Sequence, residues 1–91
     1  WDFITLEEAS PYLETNRFPG HAQEFETAFA MAAFPENVRH DAMQDQQDKE
    51  PLHATAENGQ ALIEIAVKNV ADFVQGMIDG TQVAEIPEFH P

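Results

Sequence analysis

His21, Glu24 and Glu26 are the residues of this chain whose types and spacing favour chemistry. They lie in the stretch Gly-His-Ala-Gln-Glu-Phe-Glu-Thr-Ala, residues 20–28. If a helix begins near His21, residues three apart lie on neighbouring parts of one face, so His21 and Glu24 share its first turn. An imidazole that titrates near neutrality beside a carboxylate can transfer protons or bind a metal ion. We therefore take His21 and Glu24 as candidate catalytic residues.

The same side chains have ordinary structural alternatives. A single His at a helix start also serves as a surface or capping residue. Glu24 and Glu26 are two apart and point in different directions on a helix, so at most one of them can face a small site. A carboxylate in the first turn otherwise stabilises the positive end of the helix dipole. Thr27 has no base placed to activate it, so no nucleophilic triad is predicted.

The composition restricts the classes of partner. Seventeen acidic residues against four basic ones give the 91-residue chain a formal net charge of -13. A surface of that sign repels phosphate backbones and anionic lipids, so we expect neither nucleic acid nor a membrane as a partner. The absence of cysteine excludes thiol nucleophiles and Cys-ligated metal in this chain and is compatible with the cytoplasmic location that we expect. The missing initiator Met suggests a processed or split product.

Two helices are predicted in the first part of the chain. Thr5 and Glu8 are in capping-box register and predict a short helix over residues 6–14, which Pro11 bends or breaks. Apolar residues at helical spacing then predict a buried helix over residues 22–34.

The second part is predicted to contain a loop, a long helix and a tail. Residues 36–54 are rich in Asp, Glu and Gln without apolar periodicity, so we expect a long acidic surface loop. Thr55 can cap a helix over residues 56–79, and residues 81–91 form an extended tail. One wide apolar stripe marks this last helix: Leu62, Ile63, Ile65, Ala66, Val67, Val70, Phe73, Val74 and Met77. A chain this short is marginal alone, so we expect a sheet or another subunit to cover the stripe.

A second constellation lies at the start of the chain. In Trp1-Asp2-Phe3 two aromatic rings flank a carboxylate. This arrangement suits the rim of a pocket that binds a small polar ring. The alternative interpretation of the same residues is the end of an ordinary strand. The other histidines, His40, His53 and His90, have no ligand-type spacing to one another or to His21 and are expected to be solvated.

The stretch at residues 20–28 resembles the His-Ala-Gly-Glu-Phe-Glu-Thr-Ser motif near the C-terminal end of creatininase-family amidohydrolases. These are metal-dependent enzymes that hydrolyse amide bonds in small cyclic or linear substrates. Two further pieces agree with the family in order and spacing: Trp1-Asp2-Phe3, and Ala-Thr-Ala-Glu-Asn-Gly at residues 54–59. Together the three pieces span most of the chain.

The resemblance implies an α/β fold with a parallel sheet. Residues 1–91 would form the C-terminal part of this single domain, and this part would itself be mostly helical. It implies two divalent metal ions, zinc or manganese, with ligands in the complementary N-terminal chain and none in this one. By position, His21 matches the catalytic His that transfers a proton to the leaving nitrogen, and Trp1 matches an aromatic residue that closes over the substrate. Glu24 would orient His21 or bind substrate, and Glu26 would cap or brace the helix.

Several positions depart from the family pattern. Gly20 stands where creatininases proper have Glu, Arg17 lies near their second pocket Trp, Gln23 replaces Gly, and Ala28 replaces Ser. We therefore do not expect creatinine as the substrate.

The sequence thus predicts part of a metal-dependent amidohydrolase that cleaves a C–N amide bond of a small substrate, with His21 as general acid/base. The resemblance also implies a homo-oligomer of the assembled unit, and relatives are often hexameric. One alternative is an acidic helical interaction subunit that docks through the stripe at residues 62–77 and does no chemistry. Another is a self-contained His/Glu metal site within this chain.

Overall fold

Every regular element in residues 3–85, the part that the computed structural model describes, is helical. The four α-helices are α1 (Leu6–Ala9), α2 (Glu24–Ala33), α3 (His40–Asp45) and α4 (Ala56–Asp79), and 3₁₀ turns span Ser10–Tyr12, Pro35–Asn37 and Glu50–His53. The prediction that this chain is itself mostly helical is confirmed, whereas the parallel sheet stays a prediction. Trp1 and residues 86–91 of the predicted tail lie outside the described residues.

The first helix is shorter than the predicted span 6–14. The capping box is present, because the Glu8 N–H donates to Thr5 Oγ1 at 3.1 Å and the Thr5 N–H donates to Glu8 Oε1 at 3.0 Å. The α-helix nevertheless ends at Ala9 and continues as a 3₁₀ turn that contains Pro11. Proline has no N–H for the carbonyl of Glu7, so the α-helical hydrogen-bond ladder stops there.

Asn69 joins the start of the chain to α4. Its Nδ2 donates to the carbonyl of Phe3 at 2.7 Å and to Glu8 Oε2 at 3.0 Å. The hydrogen bond from Asn69, supported by the Thr5 N–H, holds the pKa of Glu8 below its usual range. These bonds fix α1 beside the middle of the long helix.

The core lies between α2, the first half of α4 and the start of the chain. Its largest fully buried apolar side chains are Phe25 and Leu62, and Ala28 is buried beside them. A Cβ at Gly59 would overlap the backbone carbonyl of Ala28, so glycine allows the two helix backbones to approach closely. Helix α2 lies within the span predicted for it, 22–34.

We expect Gly59→Ala to lower the free energy of unfolding by about 2 kcal/mol, because separating the two backbones outweighs the gain in helix propensity of about 1 kcal/mol. Urea denaturation measures this difference. The matched control is Gln60→Ala, the next residue of the same helix, whose side chain is exposed. It should leave stability unchanged or slightly raised, and equal losses in the two variants would contradict this packing.

The acidic segment predicted as a loop over residues 36–54 contains α3 and two 3₁₀ turns instead. Lys49 Nζ donates to the carbonyl of Gln44 at 2.6 Å, which satisfies an acceptor in the last turn of α3. The segment is also tied to the chain before α2, since Gln23 Nε2 donates to Asp48 Oδ2 at 3.0 Å. These polar contacts, together with the buried Pro51 and Ala54, order the segment.

Helix α4 has the bounds that its capping residues predict. Thr55 Oγ1 accepts the Asn58 N–H at 3.1 Å at its start, and Gly80 takes a left-handed conformation, with φ of 79°, at its end. Its second half extends past α2, and Val67 is 62% exposed. Among the helices of residues 3–85, none combines the length and the apolar character needed to cross a membrane.

Candidate functional site

His21 lies in the connection to α2, three residues before the helix begins at Glu24. Its side chain is 99% exposed. The residues on either side have left-handed backbones, with φ of 66° at Gly20 and 51° at Ala22. That conformation costs a residue with a Cβ about 1–2 kcal/mol, so Ala22 is strained. The backbone thus holds the imidazole away from the helix and toward solvent.

The carboxylate beside His21 is that of Glu26. Its Oε1 accepts the Ala22 N–H at 2.7 Å and lies 3.8 Å from His21 Nδ1. One oxygen therefore stabilises the strained backbone and faces the imidazole. Glu26 thus contacts the connection before α2, and it has the place beside His21 that we expected for Glu24.

Glu24 differs from that expectation because its side chain is 1% exposed and turned toward the chain before α2. Its carboxylate accepts the N–H of Glu14 and the N–H and hydroxyl of Thr15, each at 2.9 Å. As the first residue of α2, it also lies at the positive end of the helix dipole. In the described chain, Glu24 fixes the loop before the helix.

A groove of about 660 Å³ runs beside His21. Glu26 and Thr27 border it from α2, and Arg39 and Asp48 border it from the α3 region. The Glu50 N–H and the Gln23 amide donate to Asp48, and with the charge of Arg17 they hold the pKa of Asp48 below its usual range. Asp48 therefore stays a carboxylate and accepts hydrogen bonds at neutral pH.

Arg39 is a residue of this groove that the sequence analysis missed. Three of the four basic residues are committed elsewhere: Arg17 to Glu50 at 2.6 Å, Lys49 to the Gln44 carbonyl at 2.6 Å, and Lys68 to Asp72 at 2.7 Å. Within residues 3–85, the guanidinium of Arg39 makes neither a hydrogen bond nor an ion pair. Its place in the groove and its unpaired guanidinium distinguish it from the other basic residues.

The remaining candidates do not join this groove. His53 is half-exposed. It also contacts the protein, because its Nδ1 lies 2.6 Å from Glu14 Oε2. His40 is exposed in α3, and Trp1 and His90 lie outside the described residues. In residues 3–85, no three His, Asp or Glu side chains converge in a way that could hold a metal ion.

No family model, curated protein or solved structure matches the chain. Membership of the creatininase family stays a prediction that rests on the motifs at residues 1–3, 20–28 and 54–59. The structural features relevant to catalysis by these motifs are the groove beside His21 and the carboxylate of Glu26 near its imidazole.

Proposed function

We propose that this chain is the C-terminal part of a creatininase-like amidohydrolase that cleaves a C–N amide bond of a small substrate. His21 would pass a proton to the nitrogen that leaves. The observation that carries the proposal is the presentation of His21, which two left-handed residues hold at the border of a groove. A volume of about 660 Å³ lies in the range of sites for small molecules.

The proton would leave from Nε2 of His21. Nδ1 is the nitrogen that faces the carboxylate of Glu26, so an N–H at Nδ1 directed toward that carboxylate leaves Nε2 to exchange the proton with the substrate. Because Glu26 also accepts the Ala22 N–H, it would position the imidazole. Trp1 keeps its proposed role as an aromatic residue over the substrate.

The proposal includes two divalent ions, zinc or manganese, held mainly by a complementary N-terminal chain. When bound, such ions lower the pKa of a water ligand and polarise the amide carbonyl. The resemblance implies that the ligands lie in that chain, so we assign to this chain only the proton donor and the walls of the groove.

The exposed face of α4 supports a complementary chain. Val67 and Val70 border an apolar groove of about 430 Å³ with Phe29 of α2, and Val74 and Ile78 continue the exposed face. Covering apolar surface is favourable by about 25 cal/mol per Å². The same face also favours the alternative of an acidic helical interaction subunit, since both functions require a partner there.

Gly20 argues against creatinine as the substrate. Its φ of 66° is a conformation that a Glu, the residue of creatininases proper, adopts only with strain. We therefore propose a small amide other than creatinine, acted on by a cytoplasmic homo-oligomer of the assembled unit, with a hexamer as the expected form.

The test is metal analysis and amide hydrolysis with the chain combined with its complementary N-terminal part, an assembly called the extended protein below. We expect about two divalent ions per unit and hydrolysis of small amides that stops on chelation and returns with zinc or manganese. A protein that binds a partner through α4 without metal and hydrolyses no amide would contradict the proposal and support the interaction subunit.

A further inference from the structure

The groove beside His21 combines one cation with two carboxylates. Arg39 is the basic side chain of the groove, and Glu26 and Asp48 are its acidic ones. The two carboxylates would repel an anionic group of a ligand wherever it lay close to them. An anionic group in this groove is therefore favoured only beside Arg39.

The guanidinium of Arg39 has no partner in residues 3–85 although the chain carries 17 acidic residues for four basic ones. In such a chain an unpaired Arg is unexpected, because carboxylates are available over most of the surface. Arg17 and Lys68 follow that expectation, with carboxylates at 2.6 Å and 2.7 Å. Arg39 differs in keeping its five N–H donors available to a ligand.

The backbone that carries Arg39 is fixed. Its carbonyl accepts the Met43 N–H at 3.1 Å at the start of α3, and Met43 itself borders the groove. His21 enters the same groove from the connection to α2. A small molecule in the groove can thus contact a proton donor and a guanidinium that come from two different segments.

We propose that Arg39 binds a carboxylate of the substrate, so that the substrates are small amides that carry a carboxylate group. A guanidinium binds a carboxylate through two parallel N–H···O bonds, which fixes its orientation as well as its position. This inference rests on the proposed function for the identity of the reacting amide. The selection of the carboxylate by Arg39 is a separate property that binding alone can measure.

The experiment titrates the full 91-residue chain with N-acetylglycine and with N-acetylglycinamide, which share the acetamide group and differ in the carboxylate. Affinity and contact are read by NMR from the Arg39 Nε–H and the His21 ring. We expect N-acetylglycine to bind at least about tenfold more tightly, with both residues shifting. Arg39→Gln should abolish the preference. Lys68→Gln, which removes the same charge from a residue of α4 that does not border the groove, should preserve it.

Equal affinity for the two probes, absence of binding by both, or an equal loss in Arg39→Gln and Lys68→Gln would overturn the inference. These results are distinguishable from failure of the proposed function. Selective binding by a protein whose extended form hydrolyses no amide supports the role of Arg39 and contradicts the amidohydrolase. If amides with and without a carboxylate are hydrolysed equally well, and Arg39→Gln has no effect, the amidohydrolase is supported and the role of Arg39 is contradicted.

Discussion

Replacing Glu24 by alanine is expected to lower the free energy of unfolding by about 4 kcal/mol, measured by urea denaturation. The substitution removes the acceptor of the Glu14 N–H and of the Thr15 N–H and hydroxyl. These donors are partly buried, and a buried donor left without an acceptor costs about 1–3 kcal/mol, so each of them contributes at the lower end of that range. The loop that precedes α2 should loosen as a result, and with it the segment that presents His21.

Two further variants serve as references for the size of this stability loss. Glu24→Gln keeps one oxygen as an acceptor, so we expect a loss of about 2 kcal/mol. Glu64→Ala removes an exposed carboxylate from the middle of α4 and should change stability by no more than about 0.5 kcal/mol. If Glu24→Ala were as mild as Glu64→Ala yet abolished hydrolysis, the catalytic role first predicted for Glu24 would be right.

His21→Ala is expected to lower kcat/KM of the extended protein for amide hydrolysis by about 10²–10⁴-fold, the range for loss of a general acid. Stability should not change, because the His21 side chain is 99% exposed. The matched control is His40→Ala, which removes an exposed imidazole from α3. Equal kcat/KM values for the two variants would contradict the role of His21, and a loss of stability in His21→Ala would show that its effect is structural.

The helices could be predicted from the sequence wherever their ends depend on local signals. Thr5 with Glu8 and Thr55 form their caps with residues three positions away, and Gly80 ends α4 through its own left-handed backbone. Such signals lie within a few residues of the boundary and can be read directly. The early end of α1 follows from the missing N–H of Pro11, and the sequence predicts a bend or break there without fixing the last helical residue.

The structure of the acidic segment and the partners of the site depend on contacts between distant residues. Gln23 and Asp48 are 25 positions apart, and His53 and Glu14 are 39 apart. Periodicity carries no information about such pairs, so the segment was predicted as a loop. Glu24 was placed beside His21 for the same reason: helical spacing does not show that its carboxylate turns toward the preceding loop.

Arg39 was missed because one Arg before a short polar helix has no distinctive spacing. Its significance depends on which basic side chains find partners, and that requires coordinates. The resemblance at residues 20–28 predicts a proton donor at His21, whereas the groove beside His21 and its cation are visible only in the fold.

The dependence of the His21→Ala effect on the leaving amine tests the central claim most directly. The extended protein and the variant would be compared on two amides with the same acyl group, a p-nitroanilide and an alkyl amide. A p-nitroaniline leaves with little help from an acid, whereas an alkylamine needs a proton. We predict that the alkyl amide loses at least about 10²-fold in kcat/KM and the nitroanilide much less. Equal losses for the two substrates would contradict proton donation by His21.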